Sequence, residues 1–230
     1  MTRWDWIGLF DVYMMIFWCV TYIECIRIGK QQKTYCMPLL ALCMNFCWET
    51  LSLIDYTMHG DNQLYIYLIY GAWTLLDVGI VVTYIVYGNR ENERTLKGRK
   101  SVVYNLLIGG GIFFIVRSLG VFVGVALIIL IMYRYIDNWK AYFVFPNNLV
   151  MSIQFFLLPF IRKGSRGQSM SIAVTKCIGT LCATLTIGLA QVEEWVVIIG
   201  LICFMLDIAY IILLYRTIQK EKVFTPSRKN

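Results

Sequence analysis

Seven long apolar runs divide the chain, and they limit its fold more than any other feature of the sequence. A helix needs about 20 predominantly apolar residues to cross the hydrocarbon core of a bilayer. The runs that reach this length are 7–27, 36–58, 64–87, 102–133, 142–161, 171–190 and 195–217. We therefore predict an all-α fold, a polytopic bundle of seven transmembrane helices that forms a single domain over residues 1–230.

The composition excludes a soluble globular domain. Hydrophobic residues make up 59% of the chain and charged residues 15%, whereas about 25% of a typical soluble domain is charged. The net charge of +7 does not indicate a nucleic-acid partner, because the cations fall in short loops between the apolar runs. We predict an integral, multi-pass membrane protein that is surrounded by the lipid bilayer.

Lysine and arginine are concentrated in alternate connections. The loops after the first, third and fifth runs and the C-terminal tail hold 16 of the 21 cationic residues. Positive charge of this kind marks the cytosolic side of a membrane protein. We therefore predict an outside or lumenal N-terminus and a cytosolic C-terminus. This topology fits an endoplasmic reticulum membrane in a eukaryote and a plasma membrane in a bacterium equally well.

The fourth run is longer than one straight span requires. Two alternatives stay open for it: a bend at the three consecutive glycines 109–111, or one long tilted helix that leaves the bilayer. Its Arg117 would lie near the centre of the bilayer, where a charge is costly. We expect Arg117 to pair with an acid or to face a cavity.

Three carboxylates lie deep inside apolar runs: Glu49, Asp77 and Asp207. A charge at that depth costs about 3 kcal/mol or more, which makes such a residue a functional-site hypothesis. At the rise of an α-helix, Glu49 lies about 20 Å and the two aspartates about 15 Å from the cytosolic ends of their helices. The similar depths indicate one polar pocket, although polar side chains can also serve only to join helices.

The residues one helical turn from these acids give the pocket an aromatic and polar character. They are Asn45 and Trp48 near Glu49, Trp73 near Asp77, and Tyr210 near Asp207. Burial in a medium of low dielectric constant raises the pKa of a carboxyl group, so that it keeps its proton at neutral pH. A protonated acid can donate to an epoxide or an alkene, and aromatic faces can stabilise the carbocation that forms. Buried carboxylates also suit the proton relays of transporters, so this chemistry alone does not decide the function.

Four segments, in order along the chain, carry a resemblance to a known family. They are Tyr35 followed by Asn-x-x-Trp-Glu ending at Glu49, Trp-x-x-x-Asp ending at Asp77, Asn148 to Ser152 with the loop 162–169, and Phe204 to Tyr210 around Asp207. Together they resemble the motifs of the small integral-membrane terpene cyclases, first known from fungal meroterpenoid and indole-diterpene pathways, with bacterial relatives. The order, the spacing and the number of helices are similar over most of the chain, and the similarity is weakest over residues 101–145.

The resemblance implies a membrane-bound terpene cyclase. In this family a prenylated or epoxyprenylated small molecule is protonated and folded into fused rings, without a metal ion or another cofactor. The two catalytic acids of the family would correspond to Glu49 and Asp207. The residues that the resemblance and their neighbourhood imply for substrate binding are Asn45, Trp48, Trp73, Asp77, Asn148, Ser152, Gln168 and Tyr210. The sequence lacks the Asp-Asp-x-x-Asp cluster that holds magnesium and diphosphate in other cyclases.

A small-solute or proton-coupled membrane transporter is the alternative function, because seven-helix bundles with carboxylates near the midplane also serve transport. Transporter folds commonly contain internal repeats and broken helices, and no repeat relates the first three runs to the last three here. A retinal-type receptor would need a lysine in its last helix. The seventh run has none before Lys220, and Lys176 lies in the sixth run.

Overall fold

The described structure is entirely helical. The computed structural model describes residues 3–59, 64–96, 112–190 and 194–224, and within these ranges the chain forms seven helices and no strand. They are α1 (Arg3–Gln32), α2 (Leu39–His59), α3 (Leu64–Leu96), α4 (Ile112–Tyr135), α5 (Trp139–Arg162), α6 (Met170–Ala190) and α7 (Glu194–Phe224). The prediction of an all-α fold with seven helices is confirmed.

Several helices extend beyond the predicted membrane spans. α3 continues to Leu96 and α7 to Phe224, past the predicted ends at 87 and 217. Hydropathy marks where the surroundings change, whereas backbone hydrogen bonding continues a helix into polar sequence. The described part of the fourth run forms α4 from Ile112, and the predicted stretch 102–111 lies outside the described ranges. Both alternatives for the glycines 109–111 therefore stay open.

Five of the described helices are long and apolar enough to cross a membrane by their length and composition. They are α1, α3, α4, α5 and α7. The apolar stretch of α6 is shorter, Met170–Thr186. α2 and α6 carry the buried polar residues Asn45, Glu49 and Lys176. These features indicate a multi-pass membrane protein, and its orientation in the membrane stays a prediction.

Six helices form a closed ring, and the remaining helix, α4, packs outside it. Around the ring, α1 packs against α6, α6 against α7, α7 against α5, α5 against α2, α2 against α3, and α3 against α1. α4 packs mainly against α2, and its outward face exposes Leu119 and Val123. The most extensive pairing is that of α1 with α6. A Cβ atom at Gly179 would lie 3.0 Å from the Trp18 indole, so glycine allows these two helices to approach closely.

Hydrogen bonds and ion pairs join the loops at one end of the ring, which we call the Arg162 end. Arg162 donates to the carbonyl oxygen of Tyr35 at 2.7 Å, and its guanidinium lies 4.6 Å from the centroid of the same tyrosine ring. The buried carboxylate of Glu91 on α3 lies 2.9 Å from Arg166 Nε and 3.9 Å from Arg162 Nε. The loop between α5 and α6 thereby holds α3 to the connection between α1 and α2.

Arg117 on α4 contacts the middle part of α3. Its Nη2 donates to the hydroxyl of Tyr84 at 3.3 Å, and its guanidinium carbon lies 5.7 Å from the centroid of the Phe114 ring. Arg117 is absent from the lining of the cavity described below. The contacts seen here are with a hydroxyl group and an aromatic ring, and the expected pairing of Arg117 with an acid stays a prediction.

Candidate active site

A cavity of about 470 Å³ lies inside the ring, and five helices line it. Its lining includes Tyr22, Asn45, Trp48, Glu49, Tyr56, Tyr70, Trp73, Lys140, Asn147 and Asn148. It runs from Glu49 towards the end of the ring that carries Tyr56 and Lys140, which we call the Lys140 end. Small-molecule sites commonly have volumes of about 300–1,000 Å³ and mostly apolar walls with a few polar groups. The size and the lining fit such a site.

The carboxyl group of Glu49 is buried on the wall of this cavity, and 1% of the residue is exposed. The Tyr22 hydroxyl donates a hydrogen bond to Glu49 Oε1 at 2.7 Å, and the Asn45 amide donates to the same oxygen at 3.0 Å. Asn45 lies one turn before Glu49 on α2, so both side chains project from the same helix face. These contacts fix the orientation of the Glu49 carboxyl group.

Asp77 joins the same cluster from α3. Its Oδ2 accepts a hydrogen bond from Asn45 Nδ2 at 2.9 Å, and the residue is fully buried. One amide nitrogen thus lies within 3.0 Å of oxygens from both carboxyl groups. Trp48 Nε1 and Asn147 Nδ2 donate to Asn45 Oδ1, at 3.3 Å and 3.4 Å. The amide of Asn45 is therefore the centre of a network that joins α1, α2, α3 and α5.

Three buried oxygen atoms of this network receive no hydrogen bond from a donor among the described residues: Glu49 Oε2, Asp77 Oδ1 and Asn147 Oδ1. Leaving a buried polar atom unpaired costs about 1–3 kcal/mol. Such atoms beside a cavity are typical of a site that binds a polar group. Glu49 therefore presents one oxygen held by two donors and a second oxygen that receives no hydrogen bond from a donor group among the described residues.

Aromatic rings cover one wall of the cavity from Glu49 to the Lys140 end. The ring centroid of Tyr70 lies 5.6 Å from that of Trp48 and 5.7 Å from that of Trp73, both edge-on. On its other side, Tyr70 stacks on Tyr56 with the centroids 5.3 Å apart. The faces of such rings carry negative potential. This wall can therefore stabilise a positive charge inside the cavity.

Asp207 belongs to a second buried cluster. Lys176 Nζ lies 2.6 Å and 2.9 Å from the two carboxylate oxygens of Asp207, and it donates to Ser152 Oγ at 2.7 Å. The side chains of Lys176 and Asp207 are fully buried, and the three residues are absent from the lining of the cavity. Each charge of this pair offsets the cost of burying the other.

The remaining predicted substrate-binding residues are divided between the cavity and its surroundings. Asn148 lines the cavity and donates to Thr180 Oγ1 at 3.3 Å. Gln168 and Tyr210 are absent from the lining. The Tyr210 hydroxyl donates to Gln168 Oε1, and Gln168 Nε2 donates to the carbonyl oxygen of Cys36 at 3.2 Å. Their part in substrate binding stays a prediction.

The structure separates the three acids that were expected to share one pocket. Glu49 and Asp77 are brought together by Asn45, whereas Asp207 faces a lysine of the neighbouring helix. Similar depth along the helices does not decide which neighbour a side chain meets, because that depends on its direction around the helix axis.

The similarity of this chain to known proteins covers almost all of this arrangement. The Pyr4-like transmembrane terpene cyclases match residues 3–221. The chain belongs to this family. The matched range includes every residue of both buried clusters, and the resemblance seen in the four sequence motifs is confirmed.

Curated relatives of this Pyr4-like chain are fungal terpene cyclases. It is 25% identical to terpene cyclase pyr4 of Aspergillus fumigatus over 89% of this chain and 83% of that protein. It is 27% identical to terpene cyclase terB of Tolypocladium album, over 94% of this chain and 89% of the relative. It is also 27% identical to terpene cyclase nodB of Hypoxylon pulicicidum, over 78% of this chain and 69% of that protein. No solved structure matches the chain significantly.

Membership of the Pyr4-like family makes the chain an enzyme of the terpene cyclase type. The family also implies a prenyl-type substrate and a membrane setting, and the apolar helices agree with that setting. In the part of the chain that the structure describes, no group of three or more His, Cys, Asp or Glu side chains is arranged to hold a metal ion.

Four residues that the sequence analysis did not assign to a site belong to these clusters: Tyr22, Tyr70, Asn147 and Lys176. Lys176 carried the same signal as the three acids, a charge inside an apolar run. The two tyrosines and Asn147 carried no comparable signal. Their roles follow from which helices are neighbours in the ring, and a single sequence does not show that.

Proposed function

We propose that this member of the Pyr4-like family protonates a prenylated or epoxyprenylated substrate from the Glu49 carboxylic acid and cyclises it through carbocations. One observation carries the proposal. Glu49 is a buried acid on the wall of an aromatic-lined cavity, with Oε1 held by two donors and with no donor group among the described residues bonded to Oε2. A general acid must reach the atom that it protonates. Of the three acids singled out in the sequence, Glu49 is the one that lines the cavity.

The surroundings of Glu49 favour its acid form. Its hydrogen bonds come from a phenol and an amide, and the neighbouring Asp77 shares the same amide. Two adjacent carboxyl groups in a site of low dielectric constant do not readily ionise together when their donors are neutral. We infer that the pair retains at least one proton, and that this proton is the one delivered to the substrate.

The proposed reaction conserves atoms and protons. The proton of Glu49 passes to the epoxide oxygen, and the bond from that oxygen to the more substituted carbon breaks. An alkene of the same chain attacks the carbocation and forms a carbon–carbon bond, and further ring closures move the positive charge along the chain. The last cation gives up one proton, so the product is an isomer of the substrate. In a prenyl substrate without an epoxide, the first proton goes to an alkene carbon.

The aromatic wall has a direct part in this scheme. Trp48, Trp73 and Tyr70 lie between Glu49 and the Lys140 end, where the charge would develop. A cation over an aromatic face in a dehydrated site is stabilised by about 2 kcal/mol. Because the rings pack against one another, they need no rearrangement when the charge forms.

Asp207 has a different part in the proposal. Its carboxylate is engaged by Lys176 and it is absent from the cavity lining, so we assign the proton transfer to Glu49 and a positioning role to Asp207. The cluster of Ser152, Lys176 and Asp207 links α5, α6 and α7. Because α5 also carries Asn147, which donates to Asn45, this link sets the position of α5 relative to the Glu49 site.

Membranes that contain the Glu49→Gln variant test the assignment. Glutamine keeps the size of the side chain and can still accept the hydrogen bond from Tyr22, but it cannot supply the proton. We therefore expect the rate of cyclisation of an epoxyprenyl substrate to fall by about 10²–10⁴-fold. Glu24→Gln is the matched control, because Glu24 pairs with Arg27 at 2.7 Å and is absent from the cavity lining. Full cyclisation by the Glu49→Gln variant would refute the assignment.

A further inference from the structure

Lys140 lines the cavity at the end remote from Glu49, and the proton transfer does not use it. Its Nζ lies 2.7 Å from Asp55 Oδ2 and 3.7 Å from the centroid of the Tyr56 ring. The Lys140 side chain is 26% exposed and that of Asp55 21%, so the pair is largely shielded. A second cavity of about 520 Å³ shares Lys140 and Ala141 with the first. Lys140 therefore presents its charge to two adjoining cavities.

The geometry of α2 sets the separation between this cation and the acid. Tyr56 follows Glu49 by seven residues, which is two turns along one helix face and a rise of about 10 Å. Apolar and aromatic side chains line the cavity between them, among them Ile69, Val144 and Tyr70. The cavity thus has an acid at one end, a cation at the other and an apolar wall between.

Asp11 adds a second polar group to the lining. It lies on the first turns of α1, and α1 ends at Gln32 near the Arg162 end. Asp11 therefore lies towards the Lys140 end of the cavity. A carboxylate accepts hydrogen bonds and an ammonium group donates them. The Lys140 end consequently suits a ligand group that carries both a hydroxyl and an accepting oxygen.

We propose that Lys140 binds an oxygen-bearing polar group at the end of the substrate opposite the bond that Glu49 protonates. This inference rests on the proposed function and adds a requirement on the substrate: a hydroxyl or carbonyl oxygen at the end remote from the bond that is protonated. The ammonium group has three donors, and one reaches Asp55. Asp55 is a positioning residue that holds the cation at the cavity wall.

The chemistry of this contact predicts selectivity. A hydrogen bond from a charged donor is about twice as strong as one between neutral groups. A site built to hold a polar group disfavours an analogue that lacks it, because the site's own polar group is then left poorly satisfied. Lys140 keeps its contact with Asp55 and part of its exposure to solvent, so we expect selectivity of about tenfold in kcat/KM.

Two probes that differ only in the ring test the inference. One is an epoxidised farnesyl chain attached to a dihydroxyphenyl ring, and the other is the same chain attached to an unsubstituted phenyl ring. We expect the unmodified protein to prefer the hydroxylated probe by about tenfold in kcat/KM, and Lys140→Met to lose this preference through a higher KM for that probe. We expect kcat/KM for the phenyl probe to change by less than about threefold.

Arg134→Met is the matched control for the loss of a cation. Arg134 lies on the last turn of α4, over the ring of Tyr135 at 5.7 Å, and it is absent from the lining of both cavities. We expect this variant to retain the preference for the hydroxylated probe. A loss of preference in Arg134→Met equal to that in Lys140→Met would overturn the inference, because the effect would then follow from net charge alone.

Asp55→Asn separates substrate binding from a purely structural link between α2 and α5. Asparagine keeps an acceptor oxygen beside Lys140 but removes the carboxylate charge, so we expect a preference for the hydroxylated probe that is smaller than in the unmodified protein and larger than in Lys140→Met. Equal losses of turnover with both probes in Asp55→Asn and Lys140→Met would overturn the inference. An unchanged preference in Lys140→Met would overturn it while leaving the role of Glu49 intact. Cyclisation of neither probe by the unmodified protein would count against the proposed function itself.

Discussion

Glu49 and Asp207 carry the same signal in the sequence, an acid inside an apolar run, yet the structure surrounds them differently. Glu49 has neutral donors, a neighbouring acid and a cavity, whereas Asp207 has a lysine nitrogen at 2.6 Å. A carboxyl group buried in an apolar medium avoids an uncompensated charge either by keeping its proton or by pairing with a cation. The two clusters represent these two solutions, and the first is the one that leaves a proton for a substrate.

The largest expected difference between the two clusters is in stability. Asp207→Asn leaves the ammonium group of Lys176 buried without its carboxylate, so we expect the free energy of unfolding to fall by about 3–5 kcal/mol. Glu49→Gln removes no partner of a buried cation, so we expect a change of about 1 kcal/mol or less. Unfolding in detergent micelles, followed by denaturant titration, measures both. Equal losses in the two variants would remove the contrast between the clusters.

The aromatic wall beside Glu49 is a second difference between the two clusters. Tyr70→Leu removes a ring that faces the cavity, so we expect kcat to fall by about tenfold and partly cyclised products to increase, because a cation–π contact of about 1–2 kcal/mol is lost. Tyr70→Phe keeps the ring and should retain kcat within about twofold. Product analysis by mass spectrometry with the same substrate distinguishes the two variants. Equal effects of both changes would show that the ring is not what stabilises the cation.

A smaller effect is expected from single hydrogen bonds in the two clusters. Tyr22→Phe removes one donor to Glu49 Oε1, and a hydrogen bond of about 1 kcal/mol corresponds to about a fivefold fall in kcat. Ser152→Ala removes the hydroxyl that accepts from Lys176. For this variant we expect stability to fall by about 1 kcal/mol with kcat nearly unchanged. A larger loss of kcat in Ser152→Ala than in Tyr22→Phe would place the chemistry at the second cluster instead.

Local patterns account for the parts of the fold and site that could be predicted from the sequence. The seven helices follow from the length of the apolar runs, and the neighbourhood of Glu49 follows from spacing on one helix. Asn45 and Trp48 lie one turn or less from Glu49, and the structure joins Asn45 to both Glu49 and Trp48. These relations depend on the 3.6-residue period of a single helix, so no knowledge of other helices is needed.

The partner of each acid could not be predicted in the same way. Counting residues gives the depth of Asp207 in the membrane, but not whether it faces α5, α6 or a cavity. That depends on the order of the helices around the ring, in which α6 packs between α1 and α7. Lys176 was visible as a charge in an apolar run, and two opposite charges at similar depth would have been a reason to pair it with Asp207.

The role of the loop 162–169 could not be predicted from its motif either. The sequence placed Gln168 among the substrate-binding residues, whereas the contacts seen in the structure join this loop to the rest of the Arg162 end. Arg162 and Arg166 reach the connection between α1 and α2, and Glu91 pairs with Arg166 at 2.9 Å. A motif shared within a family can therefore record a structural link as well as contact with a substrate.

Glu49, and not Asp207, is the residue to which we assign the proton transfer. The double variant Lys176→Met with Asp207→Leu removes both charges of the buried pair, and replacement of a buried ion pair by apolar residues of similar volume is often neutral or stabilising. With the same epoxyprenyl substrate in the same membranes, we expect the double variant to cyclise within about tenfold of the unmodified protein and faster than Asp207→Asn alone, while Glu49→Gln loses about 100-fold or more. A folded double variant that is as inactive as Glu49→Gln would contradict the claim.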